Sequence, residues 1–156
     1  MSRKGEEHGA LVKRFLIDVI GDGDLDATDV FIADGMQMHD LNSGELSWLD
    51  EASAHGRGVL AAADIDVTIE ETVAEGNIVA VRSTLSGTMR GLPVDAHLMG
   101  NSFEIAHVGF YRIEDGQIAE LWSLADGLGL VKQLGLPHGS QHSPENSPDE
   151  TTASRE

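Results

Sequence analysis

The feature that most restricts the fold of this chain is a change of hydrophobic period at Ile65. Up to that point apolar residues recur every three or four positions. From Ile65 to Val73, Ile65, Val67 and Ile69 alternate with Asp66, Thr68 and Glu70. A period of two puts one set of side chains on each face of a strand. Ala74-Glu75-Gly76-Asn77 is a turn signal, and Ile78 to Thr88, rich in Val, Ile, Thr and Ser, reads as the next strand. Gly91-Leu92-Pro93 breaks the pattern. His97 to Ile113 then predicts a third long strand, bent or bulged near Gly100 or Gly109. Glu114-Asp115-Gly116 is a tight hairpin turn, and Gln117 to Ala125 is the fourth strand.

Before the change, Leu11, Phe15 and Val19 stand four apart with Val12 and Leu16 beside them, predicting a helix over about 6–20. Gly21-Asp22-Gly23-Asp24 stops it. A short second helix follows Asp24 and carries Leu25, Val30, Phe31 and Ile32. A third is expected from Leu46 to Ala63, weakened by Gly56 and Gly58. A last short helix covers 127–134. Helices first and an antiparallel meander afterwards predict an α+β fold, with the helices on one face of the sheet. The length of 156 residues suits one core. Residues from Pro137 onward are rich in Ser, Pro, Glu, His and Thr, so 1–136 is expected to be the domain and 137–156 a disordered acidic tail.

Charge removes several partners. The net charge is −17, from 27 acidic and 10 basic residues, and such a surface repels phosphate backbones and anionic membranes. Nucleic acid and membrane are therefore not expected as partners. No apolar run approaches the roughly 18 residues of a membrane span. The charged start Met1-Ser2-Arg3-Lys4-Gly5-Glu6-Glu7 is followed by no apolar signal segment, so a cytoplasmic location is expected. Lysine occurs only as Lys4, Lys13 and Lys132. An acidic, lysine-poor surface suits a salt-rich, halophilic cytoplasm, where ions screen self-repulsion.

The chain has no cysteine, which excludes disulfides, thiolate catalysis and cysteine metal sites. Asp22-Gly23-Asp24-Leu25-Asp26 spaces its acids like the first calcium ligands of an EF-hand. However, Ala27 replaces the glycine at the sixth position and Ala33 the glutamate at the twelfth. The seven histidines form no close pair suited to zinc. No metal is expected, and no phosphate loop or nucleophile elbow is present.

The stretch from Phe110 through Ile113-Glu114-Asp115-Gly116-Gln117-Ile118-Ala119-Glu120-Leu121-Trp122 continues as Ser123-Leu124-Ala125-Asp126 into Gly127-Leu128-Gly129-Leu130-Val131-Lys132-Gln133-Leu134-Gly135. It resembles the closing hairpin and helix of SnoaL-like polyketide cyclases, or ester cyclases, of the nuclear-transport-factor-like superfamily. Val12-Lys13-Arg14-Phe15, Gly23-Asp24-Leu25-Asp26-Ala27 and the segment Val73 to Arg82 extend the resemblance over roughly 10–136. It implies a cone-shaped α+β barrel, with N-terminal helices on a curved antiparallel or mixed sheet around a ligand pocket. It also implies a homodimer and a small hydrophobic ligand. Polyketide cyclases of this type close a ring by an aldol reaction without cofactor, using an aspartate after the last strand. The matching residue is Asp126. The family often has a histidine where Leu121 stands and a polar residue where Gly109 stands.

The candidate residues follow from chemistry and parity. A carboxylate in a partly apolar pocket has a raised pKa and can move a proton near neutrality, which would make Asp126 catalytic. An aspartate directly before a helix is equally a good N-cap. His107 shares strand parity with Phe103, Ile105 and Tyr111 and is the second catalytic candidate, polarising a substrate carbonyl. The alternative is a satisfied buried histidine. His39, in Met36-Gln37-Met38-His39-Asp40 after the second helix, is a candidate ligand contact because the resemblance implies a pocket-lining histidine in this segment; the alternative is a loop histidine paired with Asp40. Tyr111 is a candidate donor to a ligand oxygen, the alternative being a phenol that reaches the surface, and Trp122 and Phe103 are further candidate ligand contacts. Trp122 shares parity with Glu120 and Leu124 and is as readily a packing residue. Arg82 and Glu120 are expected to pair across strands.

The expected activity is cofactor-independent acid/base chemistry, aldol cyclisation or isomerisation, on a small hydrophobic carbonyl compound. The alternative is a non-catalytic binding or dimerisation module on the same fold. An epoxide hydrolase needs an arginine between two aspartates in function, and neither Arg82-Ser83-Thr84 nor Arg112-Ile113-Glu114 supplies that set. A steroid-isomerase variant would have Tyr111 and Asp126 but no evident second buried acid.

Overall fold

The computed structural model describes residues 2–41, 45–48, 63–90 and 100–135. Helix α1 (Arg3–Phe15) begins where the Ser2 hydroxyl accepts the Gly5 amide, a side-chain N-cap. It widens into a π-helical stretch, Leu16–Gly21, that keeps Leu16 and Val19 buried. The helix stops at Asp22-Gly23, where Gly23 takes φ 72°. The short second helix expected after Asp24 is a 3-10 turn, Leu25–Ala27, leading into α2 (Thr28–Phe31). Ile32, expected in that helix, instead opens strand β1 (Ile32–Asp40).

The remaining described elements are β2 (Glu45–Trp48), β3 (Ala63–Glu75), β4 (Ile78–Met89), β5 (Ser102–Glu114), β6 (Gln117–Ala125) and α3 (Gly127–Leu134). The helix expected over Leu46–Ala63 is corrected at both described ends. Glu45–Trp48 pairs antiparallel with β1, and Ala63 begins β3. Residues 49–62, the tail expected from Pro137 and the break at Gly91-Leu92-Pro93 lie outside the described residues.

The described strands form one sheet in the order β2-β1-β6-β5-β4-β3. β3 to β6 form the expected meander. The β5–β6 turn has Asp115 and Gly116 at φ 49° and 75°, the paired positive values of a type I′ hairpin turn. The sheet is mixed because β1 runs parallel to β6. Their register shifts between Ile32 and Gln37, around Gly35 at φ 71°, a backbone conformation that favours glycine. Of the two places expected to bend or bulge, Gly109 shows no register shift in the β4–β5 pairing. Gly100 instead takes φ 82° just before β5.

Strand parity separates two faces. β5 buries Phe103, Ile105, His107, Gly109, Tyr111 and Ile113 on the inner face and turns Glu104, Ala106 and Phe110 outward. Two apolar clusters occupy the inner face. One gathers Val12, Phe15, Leu16 and Val19 with Phe31, Met36, Val79, Val81, Tyr111, Ile118 and Leu121. The other joins Ala63, Met89, Phe103 and Ile105 to Leu134 of α3. Burying such residues contributes about 1.5–3 kcal/mol each. Where β5 runs past the end of β6, Gln133 substitutes for the missing strand. Its carboxamide accepts from the Glu104 amide at 2.7 Å and donates to the Glu104 carbonyl at 2.9 Å. No described helix is long and apolar enough to cross a membrane.

Candidate functional site

Between the two apolar clusters, a polar row crosses the inner face. The cross-strand register pairs Ser83 of β4 with His107 of β5, and Ser123 of β6 stands on the next rung, opposite Gly109. Parity aims all three side chains inward. The Ser83 Oγ lies 3.1 Å from His107 Nδ1, and the Ser123 Oγ lies 3.0 Å from His107 Nε2. Ser83 is 1% exposed and His107 8%, while Ser123 is only partly buried. Burial pushes the imidazole below its ordinary value, so the row is uncharged at neutral pH.

Two aromatic rings flank this row on β5. Tyr111 lies over Gly109, where a Cβ would fall 2.7 Å from the phenolic oxygen. Phe103 lies over its cross-strand partner Gly87, where a Cβ would first meet the Asp64 carbonyl oxygen and would fall 2.9 Å from the ring. Each ring needs the bare backbone beneath it. Tyr111 is fully buried, which holds its phenol protonated well above the ordinary value of 10.0. Its hydroxyl therefore does not reach the surface, and the ring packs edge-on to Phe15.

Asp126 stands one residue beyond Ala125, the register partner of His107. Its amide donates to the Ala106 carbonyl at 3.0 Å. Its Oδ1 accepts the Gly129 amide at 2.8 Å, so the carboxylate caps α3. The side chain is exposed, and Oδ2 has no hydrogen-bond partner among the described residues.

His39 and Trp122 lie elsewhere. His39 sits in β1 rather than in a loop, and the parallel register sets it beside Trp122. The rings stack at 5.1 Å with an interplanar angle of 4°. His39 Nε2 lies 2.8 Å from Glu120 Oε1, and Arg112 Nε donates to Glu120 Oε2 at 2.9 Å. Chiefly the His39 bond, with Arg112 behind it, holds the Glu120 carboxyl below its ordinary value. These groups occupy the outer face, with the sheet between them and His107. Of the sequence-derived candidates, the inner face thus gathers His107, Tyr111 and Phe103. Asp126 stands at the end of β6, and His39 and Trp122 share the outer face. The expected Arg82–Glu120 pair is corrected, since Arg82 Nε donates to Glu71 at 3.0 Å and Glu120 is bound by Arg112 and His39.

Ser83 and Ser123 carry no signal of their own in the sequence, because hydroxyls are common on solvent-facing strand positions. Their parity with His107 was legible only once the register was known. Among the described residues, no group of three histidine or acidic side chains is placed to hold a metal ion.

The family model for SnoaL-like polyketide cyclases matches residues 10–134. The fold is similar to TsrD of Streptomyces laurentii, with a TM-score of 0.69 and 25% identity over 88% of this chain and 99% of that one. It is also similar to a SnoaL-like polyketide cyclase of Agrobacterium tumefaciens, with a TM-score of 0.65 and 20% identity over 82% and 98%. A third similar structure is the LEH-like epoxide hydrolase of M. tuberculosis, with a TM-score of 0.66 and 17% identity over 84% and 91%. None of the curated protein sequences matches the chain.

Proposed function

The chain belongs to the SnoaL-like polyketide cyclase family, and from that premise we propose that it performs cofactor-independent acid/base chemistry, aldol cyclisation or isomerisation, on a small hydrophobic carbonyl compound. The observation that supports this is the Ser83–His107–Ser123 row, an uncharged polar strip between two apolar clusters on the inner face. Apolar walls with a few convergent polar groups suit such a ligand. The row engages the carbonyl oxygen and stabilises the charge that grows there as a neighbouring C–H proton leaves. Asp126 removes that proton and returns it to the product. Its capping bond uses one oxygen and leaves the other as a base.

The test is α-proton exchange in D2O, followed by NMR on a panel of small aromatic β-keto esters. His107→Gln and Asp126→Asn should each slow exchange by about 100-fold or more. Wild-type exchange at the background rate across the panel would reject the enzymatic proposal. Unchanged exchange in Asp126→Asn would remove that residue from the mechanism.

A second proposal, a non-catalytic binding module, draws on the exposure of Asp126 and its commitment to the helix cap. A binder would hold a carbonyl ligand and return it without exchange. The homodimer that the family implies is proposed through the outer face, where Val73, Phe110 and Leu124 leave apolar surface. Phe110→Glu should then shift the sedimentation coefficient to that of a monomer.

A further inference from the structure

A neutral imidazole has one N–H donor and one acceptor nitrogen. His107 has a serine hydroxyl at each nitrogen, so one serine donates and the other accepts. Which is which follows from burial. Ser83 is 1% exposed, and His107 is its only side-chain hydrogen-bond partner among the described residues. If Ser83 accepted from Nδ1–H, its own proton would be buried without an acceptor, a costly arrangement. If it donates to Nδ1, nothing is left unpaired. The ring then carries its proton on Nε2 and donates it to the Ser123 Oγ. With its oxygen already accepting, Ser123 directs its own proton away from His107. Ser123 is the partly exposed end of the row.

We propose that Ser123 is the group that donates the hydrogen bond to the carbonyl oxygen of the ligand, and that Ser83 is the positioning residue that gives the row this direction. The role of Ser123 rests on the carbonyl-site function proposed above, whereas the direction of the row rests on burial and geometry alone. All three hydrogen bonds point the same way, from Ser83 through His107 and Ser123 to the ligand oxygen. Aligned bonds polarise one another, so the last donor is stronger than an isolated hydroxyl. The ligand class is one with an oxygen that gains negative charge, such as an enolisable ketone, a β-keto ester or a phenolate. No proton leaves the row, so no member of it is left charged.

Two measurements on the whole chain test this. The first is the 15N spectrum of His107, identified among the seven histidines by the signals missing from His107→Gln. The wild type should show the proton on Nε2. Ser83→Ala should lose that preference, Ser83→Thr should restore it, and Ser123→Ala should keep it. A wild-type proton on Nδ1 would overturn the proposed direction, and so would an unchanged tautomer in Ser83→Ala. The second uses 4-nitrophenol, whose absorbance reports its ionisation, as the oxyanion probe. Ser123→Ala should weaken phenolate binding by about tenfold or more. Unweakened binding in that variant would remove Ser123 from the site. A wild type with the Nε2 proton that binds no phenolate would defeat the carbonyl site and the role of Ser123, yet leave Ser83 orienting His107.

Discussion

The ring of Tyr111 rests on the backbone of Gly109, two residues earlier on the same face of β5, with no room for even a methyl group between them. A side chain at Gly109 would push Tyr111 off the core it shares with Phe15 and Ile118. Gly109→Ala is therefore expected to destabilise the fold by about 1–3 kcal/mol through overpacking. Urea unfolding would measure it, and a midpoint equal to that of the wild type would mean the ring can move freely.

The cap of α3 separates two properties of Asp126. Asparagine caps a helix about as well as aspartate, so Asp126→Asn should leave stability within a few tenths of a kcal/mol. Asp126→Ala should lose about 1 kcal/mol. Thermal unfolding of both variants distinguishes the capping bond to Gly129 from the charge. Equal loss in both would show that the charge, rather than the capping geometry, holds the helix end.

His107 makes stability depend on pH. Burial lowers its pKa below the ordinary 6.5, so the unfolded chain takes up the proton first. Its contribution is intact above about 6.5 and is lost as the pH falls below that value, levelling only once the folded imidazole itself titrates. Protonation would also turn both ring nitrogens into donors and break the match with Ser83. The difference in stability between wild type and His107→Gln, followed from pH 7 downward, should shrink. A difference independent of pH would show that the imidazole titrates alike in both states.

On the outer face, Glu120 holds His39 with one oxygen and Arg112 with the other. Glutamine offers one acceptor in place of two and removes the charge. Glu120→Gln should cost about 1–3 kcal/mol. The Glu120 pKa is lowered, chiefly by the His39 bond, so its stabilisation is present above the ordinary 4.5 and lost as the pH falls through the folded value. Trp122 fluorescence should change with it, because His39 stacks on that ring. A variant with wild-type emission and unchanged unfolding would mean that the three groups are not coupled.

Much of this architecture was legible from residue pattern, because pattern reports local structure. Periods of two and of three to four located α1, the meander strands and α3, and Glu114-Asp115-Gly116 located the hairpin that sets the β5–β6 register. The shared parity of Phe103, His107 and Tyr111 also follows from the alternation within one strand. β1 is not legible in the pattern, because Ala33-Asp34-Gly35 interrupts its alternation and its parallel partner lies more than eighty residues away in sequence. That pairing moved His39 from an expected loop contact to the outer face, against Trp122 and Glu120.

By itself, then, the sequence determined α1, the four meander strands and α3, and which side chains share a face within each of those strands, since both follow from backbone geometry over a few residues. Only the tertiary structure decided which face carries the helices and that β1 lies parallel against β6, and it fixed the register across β4, β5 and β6. It thereby set Ser83 and Ser123 against the two nitrogens of His107. A period of two is the same for every strand. Register between strands, fixed by the packing of the whole sheet, is what turns three separate polar residues into one hydrogen-bonded row.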